Sequence, residues 1–248
     1  MKDEISLLSK IYFNIYNKIC GTHPNIYFWH FQWLAVKDIY SDLKQILPTI
    51  EGRILDVGCG DKPYSTWFNL EKVEYIGLDV YPAAQVDIVI ESEQHWPIEN
   101  SCFDAILCTQ VLEHTVDISK TLSEMNRVLK DGGLAIITVP FIYNQHDIPD
   151  DYRRFSIYGI NNLLKNEYEI IDLKTQGGVG STIGILLLNW IEIQMNTYKI
   201  SRLLKGSLLP IWIVFCVVIN TIGWVIDGVD KTQAFYSNTW VVAKKRCV

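Results

Sequence analysis

Apolar and polar positions follow two different rhythms along this chain. Near the start, Ile5, Leu8, Ile11, Tyr12, Ile15, Tyr16 and Ile19 recur at three- and four-residue steps, which places one apolar stripe along a helix. Gly21-Thr22-His23-Pro24 interrupts that pattern, and a second helix is predicted over Phe28–Leu47. Its start is densely aromatic (Tyr27, Phe28, Trp29, Phe31, Trp33), which suits either packing on a core or a lid over a substrate pocket.

From Arg53 the rhythm changes to short apolar runs. Strands are predicted at Arg53–Val57, Glu74–Val80, Val86–Ile90, Phe103–Thr109, Leu134–Val139, Tyr168–Thr175 and Thr239–Lys244. A helix is predicted over Asp117–Lys130, with Asp117 as N-cap, Leu122, Met125 and Leu129 as the buried stripe, and Gly132 taking the left-handed position beyond its end. Another helix is predicted over Ser156–Asn166. Strands alternating with helices imply an α/β fold, a doubly wound, Rossmann-like sheet of seven mainly parallel strands with helices on both faces. The last strand is expected antiparallel, with a helical insertion before it.

That insertion is about sixty residues long, far more than a hairpin needs. It opens on Gly177, Gly178, Gly180 and Gly184 and carries two apolar helical runs, Ile185–Ile193 and Leu208–Ile226, joined by the basic stretch Lys199–Lys205. The expected organisation is therefore N-terminal helices over 1–47, a core of 48–176 plus 236–248, and an apolar insertion over 177–235.

Composition narrows the function classes. The 248-residue chain has a formal charge of −6 and no dense basic stretch, which argues against nucleic acid as a partner. Six cysteines stand singly, without a C-x-x-C pair or a histidine-rich companion. No metal site is expected from that spacing, and the isolated thiols suit a reducing, cytoplasmic compartment. The N-terminus lacks the continuous apolar run of a secretory signal.

Gly206–Ile226 has no charged residue and meets the length criterion for a membrane span. Pro210, Asn220, Thr221 and Gly223 interrupt it, and a single crossing would strand Thr239–Lys244 on the wrong side of the membrane. Three readings remain: a buried or homodimer-forming helix, a helix lying in the interface, or a re-entrant anchor. Lys199, Arg202 and Lys205 would suit anionic headgroups, so peripheral association with the cytoplasmic face of a membrane is expected.

The chemistry centres on Arg53–Tyr64, RILDVGCGDKPY, in which a buried strand breaks into Gly58-Cys59-Gly60. A second strand ends on Asp79, about twenty residues further on, where nucleotide-binding α/β folds place a carboxylate on a ribose diol. With ILDVGCGDKPY (54–64), YIGLDVYP (75–82), WPIENSCFDAILCTQVLEHT (96–115) and LSEMNRVLKDGGLAIITVP (122–140) in order, the chain resembles the class I S-adenosylmethionine-dependent methyltransferases, of methyltransferase domain 11-like type. A dinucleotide-binding domain fits less well. Pro63 replaces its third glycine, and Asp56 and Asp61 would repel a pyrophosphate.

The resemblance implies S-adenosyl-L-methionine as cofactor. Gly58, Cys59 and Gly60 would meet its methionine portion, with Asp56 beneath them orienting the loop or meeting the ammonium. Asp79, followed by Val80, would accept hydrogen bonds from the ribose, and Glu91 and Ser92 (or Glu93 in place of Glu91) would read the adenine edge. Gln110 and Val111 would face the sulfonium. Glu113-His114 also matches a family block, or serves as cap and turn chemistry.

The stretch 140–155, PFIYNQHDIPDDYRRF, follows the fifth strand, where open α/β sheets place substrate. His146 is the expected general base, Asp151 its orienting acid and Arg153 a contact for an acidic or polyhydroxylated acceptor. Alternatively, Asp151, Arg153 and Arg154 pin the loop through ion pairs. The H-x₂-P-D-D-Y-x-R pattern resembles methyltransferases found alongside glycan and polysaccharide biosynthesis enzymes. O-methylation of a sugar hydroxyl or related small acceptor is therefore the leading expectation. N- or C-methylation of a small metabolite or lipid-linked intermediate comes next, and a non-catalytic scaffold at a membrane is the alternative of another class.

Overall fold

A computed structural model describes residues 7–92, 94–198 and 200–247. Ile5, Glu93 and Lys199, and the side chains of Leu8 and Arg202, lie outside the described residues. The chain divides into two compact units, Ile39–Gln176 with Tyr236–Val248, and Met1–Asp38 with Gly177–Phe235. The N-terminal helix thus groups with the insertion, and the second helix is shared between the units.

The first unit holds a seven-stranded sheet. Its strands are β3 (Gly52–Val57), β4 (Val73–Asp79), β5 (Ile88–Val89), β6 (Phe103–Thr109), β7 (Leu129–Pro140), β8 (Tyr168–Gln176) and β9 (Asn238–Lys245). They lie in the order β5-β4-β3-β6-β7-β9-β8. The five strands from β5 to β7 are parallel, and β9 runs antiparallel to both β7 and β8. This is the doubly wound, Rossmann-like arrangement, with order reversing at β3 and β6. Ligands bind beyond the carboxyl ends of strands at such a reversal.

Alternate positions explain the packing. Leu55, Val57, Ile106, Cys108, Ile137, Val139 and Val241 share one face of the sheet. Against them lie Met125 and Val128 of α3 (Ile118–Val128) and Ile160 and Leu164 of α4 (Ile157–Leu164). On the opposite face, Lys174 lies over the Trp240 ring and reaches Asp42 at 2.8 Å, on the C-terminal half of α2 (Trp33–Ile46).

Local signals set the helix starts. Asp117 caps α3 by accepting from Lys120 N at 3.1 Å, and Ser156 caps α4 through Gly159 N at 3.1 Å. The predicted end of α3 is corrected. The helix stops at Val128 and the chain passes directly into β7, whose Leu129 pairs with Phe103. Gly132 has the predicted positive φ, 76°, but inside a strand irregularity and not as a helix cap.

The second unit contains α1 (Leu7–Cys20), the short pair β1 (Gly21–Thr22) and β2 (Asn25–Ile26), α5 (Val179–Thr197) and α6 (Arg202–Val229). Both insertion helices extend well beyond their predicted cores. They pair antiparallel, and a side chain at Gly180 would run into the Gly223 carbonyl at 2.2 Å. Asp227 accepts from Ser181 N at 2.9 Å, capping the first turn of α5 from outside. At the other end, Lys205 is buried against Glu192 at 2.9 Å and Asn196 at 2.8 Å. The expected role of Lys205 toward headgroups is therefore corrected, because its ammonium belongs to the helix pair.

Glu124 ties α3 to the segment before β6. It accepts from Trp96 N and from Arg127, both at 2.7 Å, while Arg127 also holds the Trp96 and Ile98 carbonyls. Burial raises the pKa of Glu124, but the hydrogen bonds from Arg127 and the Trp96 N–H outweigh burial and pull it from 4.5 to about 2. The ionised carboxylate thus contributes its full stabilisation above pH 4.5 and loses it as the pH falls toward 2. Glu124→Gln is expected to lower the unfolding free energy at pH 7 by about 2 kcal/mol, with the gap to wild type narrowing by pH 3. Urea denaturation at both pH values checks this, and an unchanged gap refutes it.

Candidate active site

The strand β3 ends on a turn that needs glycine. Gly58 and Gly60 have φ of 68° and 48°, left-handed values that side chains resist. A Cβ on Gly58 would come 2.4 Å from Val111, whereas one on Gly60 would meet nothing within 4 Å. The turn is fastened to the end of β4 by Gly58 N to Leu78 O at 2.8 Å, Cys59 N to Leu78 O at 3.2 Å and Gly60 N to Asp79 Oδ2 at 2.9 Å. Asp79 Oδ1 accepts from Tyr81 N at 2.9 Å. Each oxygen keeps a lone pair for a further donor.

A cavity of about 380 Å³ opens here, in the range of small-molecule sites. Gly58, Asp79, Val80, Ser92, Gln110 and Val111 line it, and Trp96, Lys120 and Glu124 close one side. His114, Asp147 and Asp150 line it as well. An adjoining hollow carries Val80, Ile90, Glu91 and Ser92, with Gln94 donating to Glu91 at 2.5 Å. Gln110 is held left-handed (φ 55°) by bonds from its N to Thr138 O at 2.9 Å and from Nε2 to Thr138 Oγ1 at 3.1 Å. A strained backbone at the mouth of a cavity marks a position that the fold over-determines.

Beneath the turn, Asp56 is 2% exposed and accepts from the Tyr75 hydroxyl. Burial lifts its pKa to about 7, against the pull of Tyr75 and Lys62. Lys62 pairs with Asp87, which also accepts from Gly77 N at 2.7 Å.

The loop after β7 is clamped by its own charges. Asp151 forms an ion pair with Arg154 and accepts from His146 N at 3.0 Å. The guanidinium of Arg153 donates to the carbonyls of Thr115 and Val116. His146 lies with its ring centroid 4.9 Å from that of His114, and its Nδ1 is 3.4 Å from Asp151. Beside them Glu113 is wholly buried, and neither oxygen takes a hydrogen bond from another described residue. Burial raises its pKa to about 8, opposed by its own backbone N–H and the Arg154 charge.

Comparison with known proteins agrees with this geometry. A methyltransferase-domain family model matches residues 28–167. The chain belongs to the methyltransferase-domain family. It is 33% identical over 113 residues to an uncharacterised methyltransferase of Mycobacterium sp. (strain KMS), covering 42% of this chain and 44% of that one. It is 30% identical over 136 residues to a ubiquinone biosynthesis O-methyltransferase of Alkalilimnicola ehrlichii, covering 49% and 53%. The chain spans about half the length of the curated relatives it matches. Among solved structures, phosphoethanolamine N-methyltransferase 2 of Haemonchus contortus in complex with S-adenosyl-L-methionine shares the fold at TM-score 0.51 and 17% identity, over 99% of this chain and 61% of that one.

S-adenosylmethionine is the cofactor of this methyltransferase domain, and the residues present fit it. Gly60 is open where a ligand backbone would lie, Asp79 offers two acceptors, and Gln110 and Val111 stand across from the glycine turn. Cys59 is the correction here. It is buried, its sulfur packs toward Gly77, and burial pushes its thiol pKa to about 12, so only its backbone belongs to the turn. Asp56 lies beneath the turn against the Tyr75 hydroxyl and does not line the cavity. Glu91 faces the adjoining hollow, Ser92 faces both spaces, and Glu93 lies outside the described residues.

Of the residues that the sequence grouped after the fifth strand, the structure keeps His146 and Asp151 together and turns Arg153 to the carbonyls of Thr115 and Val116. His146, Asp151 and Arg153 do not line the cavity. Asp151 is committed to Arg154 and Arg153 to two carbonyls, so Arg153 holds the loop in place of contacting an acceptor. His114 lines the wall instead, and its place in the Glu113-His114 block was the available signal. Tyr81, Trp96 and Lys120 were not foreseen on the wall, because they converge from separate loops.

Asp79→Ala is expected to weaken S-adenosylmethionine binding by about 100-fold, through loss of two charge-assisted hydrogen bonds and of the Gly60 tether. Isothermal calorimetry measures this, and unchanged affinity refutes the placement of the ribose.

Proposed function

We propose that this protein transfers the methyl group of S-adenosylmethionine to a hydroxyl of a small or glycan-type acceptor. One observation carries the reading: a single cavity has Asp79, the carboxylate assigned here to the ribose, on its wall and His114 with two further acids, Asp147 and Asp150, elsewhere on it. The cofactor supplies an activated methyl group, so the tasks left to this chain are alignment and removal of the hydroxyl proton. An imidazole ionises near neutrality and serves that second task. His114 stands at the wall with His146 behind it, and Asp151 holds the His146 backbone in register. The name of the O-methyltransferase relative supports a hydroxyl acceptor, and the H-x₂-P-D-D-Y-x-R pattern favours a sugar.

His114→Ala and His146→Ala are expected to lower turnover by about 100-fold or more while leaving S-adenosylmethionine affinity within a few-fold of wild type. Turnover on candidate hydroxyl acceptors, paired with calorimetry, checks this. Equal turnover in both variants would point to an amine acceptor, which loses its proton to water. A chain that fails to bind S-adenosylmethionine would instead be the scaffold alternative.

The second unit adds a location to this reading. Leu204–Val229 is, among the described residues, the helix long and apolar enough to cross a membrane by length and composition, yet only 22% of its most apolar window is buried. Ile211, Val214 and Ile222 on α6, Ile183 and Trp190 on α5, and Phe13 and Ile15 on α1 are exposed. Such extensive apolar exposure exceeds what soluble monomers ordinarily carry. Because β8 and β9 are neighbours in one sheet, the chain between them leaves and returns on the same side. We propose that this unit lies in a lipid surface, on the cytoplasmic side, where six unpaired thiols stay reduced.

The full chain is expected to float with phospholipid vesicles, and a triple Ile211→Lys, Val214→Lys, Ile222→Lys variant to remain in the soluble fraction. A wild-type chain that stays monodisperse and monomeric without lipid or detergent refutes the membrane contact, and a dimer dissociated by the same variant identifies a second copy as the occupant.

A further inference from the structure

We infer that Glu113, His114 and His146 form a binding site for a divalent transition-metal ion of the zinc class at the acceptor end of the cavity. The inference deepens the methyl-transfer reading above and rests on it for the identity of the acceptor. It revises the expectation that no metal would be bound. That expectation followed from local spacing, and spacing cannot join two loops separated by α3 and β7.

The first observation is an orphan. Glu113 is 0% exposed, and both of its oxygens lack a hydrogen bond from another described residue. Native proteins rarely leave a buried carboxyl so, and a bound ion is one of the standard reasons. Two imidazoles, those of His114 and His146, lie close to it. His114 Nε2 is 3.8 Å from Glu113 Oε1, too far for a hydrogen bond. One donor atom from each of Glu113, His114 and His146 falls within a sphere where all separations are at most 4.8 Å. Bond lengths of about 2.0–2.2 Å around a tetrahedral ion set ligand atoms roughly 3.4 Å apart, so the trio is a slightly expanded version of that arrangement.

The second observation is the outer contacts of the histidines. His114 Nδ1 meets the Asp150 carbonyl. His146 Nδ1 lies 3.3 Å from the Asn144 carbonyl and 3.4 Å from Asp151. Oxygen acceptors at both Nδ1 positions assign the proton there and leave each Nε2 as a bare lone pair, the tautomer in which histidine ligates metals. Two imidazoles and a carboxylate suit zinc, and also iron(II) or manganese(II).

Three protein ligands leave a coordination position open, as in catalytic sites. His114 and Asp150 line the cavity, so that position faces the acceptor. A hydroxyl bound there ionises more readily. Its proton passes to water, a C–O bond forms as the methyl C–S bond breaks, and the bonding pair stays on sulfur. The histidines then serve the deprotonation as ligands.

The test is metal binding itself, read without turnover. Purified full-length chain is stripped with a chelator and titrated with Zn²⁺ alone by calorimetry, with elemental analysis of the protein as isolated. S-adenosylmethionine affinity is measured on the same samples. One ion per chain is expected in wild type, weakened at least about 100-fold in Glu113→Gln and in His146→Ala, while both variants still bind S-adenosylmethionine. Wild type that takes up no stoichiometric ion, or His146→Ala that holds it as tightly as wild type, overturns the site. Cofactor binding by the ion-free protein in that case leaves the methyltransferase reading intact.

Discussion

The hydrogen bond from the Gly60 N–H to Asp79 Oδ2 fastens the glycine turn to a carboxylate on the cavity wall. It fixes a left-handed turn after β3 to the carboxylate ending β4, so neither can move without the other. The surrounding residues make that coupling rigid. Gly77 has no side chain, which leaves room for Cys59 Sγ and the Lys62 stem, each 2.5 Å from where its Cβ would stand. Lys62 then reaches Asp87, and Asp87 returns to the Gly77 N–H. Asp56 accepts the Tyr75 hydroxyl from below. A valine or alanine at Gly77 would break this packing although it touches no ligand. The glycines in this region therefore do different jobs: Gly58 makes room for Val111, Gly60 opens toward the ligand, and Gly77 admits the supporting side chains.

How much of this was legible depends on how local each signal is. The glycine turn, Asp79 and the strand pattern could be read directly, since backbone conformation and alternation are written in neighbouring residues. The N-caps at Asp117 and Ser156 were legible or nearly so for the same reason. Gly132 was misread because its positive φ serves a strand irregularity as readily as a helix end, and only the pairing of Leu129 with Phe103 decides between them. Lys205 was misread because a basic residue beside an apolar run looks solvent-facing until Glu192 and Asn196, on another helix, are seen to enclose it. After β7, Asp151, Arg153 and Arg154 could be read either as chemistry or as ion pairs that pin the loop. The Asp151–Arg154 pair matches the second reading, while the two carbonyls that hold Arg153 come from loop geometry that no spacing encodes.

The insertion poses a separate physical problem. A sheet whose last two strands are antiparallel neighbours needs only a hairpin between them, yet α5 and α6 stand there. They stay together through small residues at Gly180 and Gly223, the Asp227 cap and the buried Lys205 cluster. Asn220 adds donations to the Phe28 and His30 carbonyls at 2.6 and 3.1 Å, tying α6 to the chain after α1. Those contacts use the polar residues of the pair on the inside. Ile185, Leu188, Leu209 and Cys216 are buried with them, while many other apolar residues of the pair, Ile183, Trp190, Ile211, Val214 and Ile222 among them, are turned outward. Such exposure is stable where the surroundings are themselves apolar, and on that the proposed lipid contact rests.

Two departures from ordinary local rules meet on one short stretch, the chain from Thr109 to Thr115. Gln110 is left-handed without being glycine, Glu113 is buried without a hydrogen bond from another described residue, and His114 stands on a cavity wall. Each is costly alone, and proteins keep such arrangements mainly where binding or chemistry requires them. Elsewhere in the same unit the buried charges are satisfied: Glu124 has Arg127, and Asp151 has Arg154. The contrast shows that this fold can pair a buried carboxylate when only stability is at stake. Glu113 lies near Arg154, close enough to feel its charge, yet makes no hydrogen bond to it. The Arg154 guanidinium is engaged by Asp151 and two carbonyls, so the groups left beside Glu113 are the imidazoles of His114 and His146.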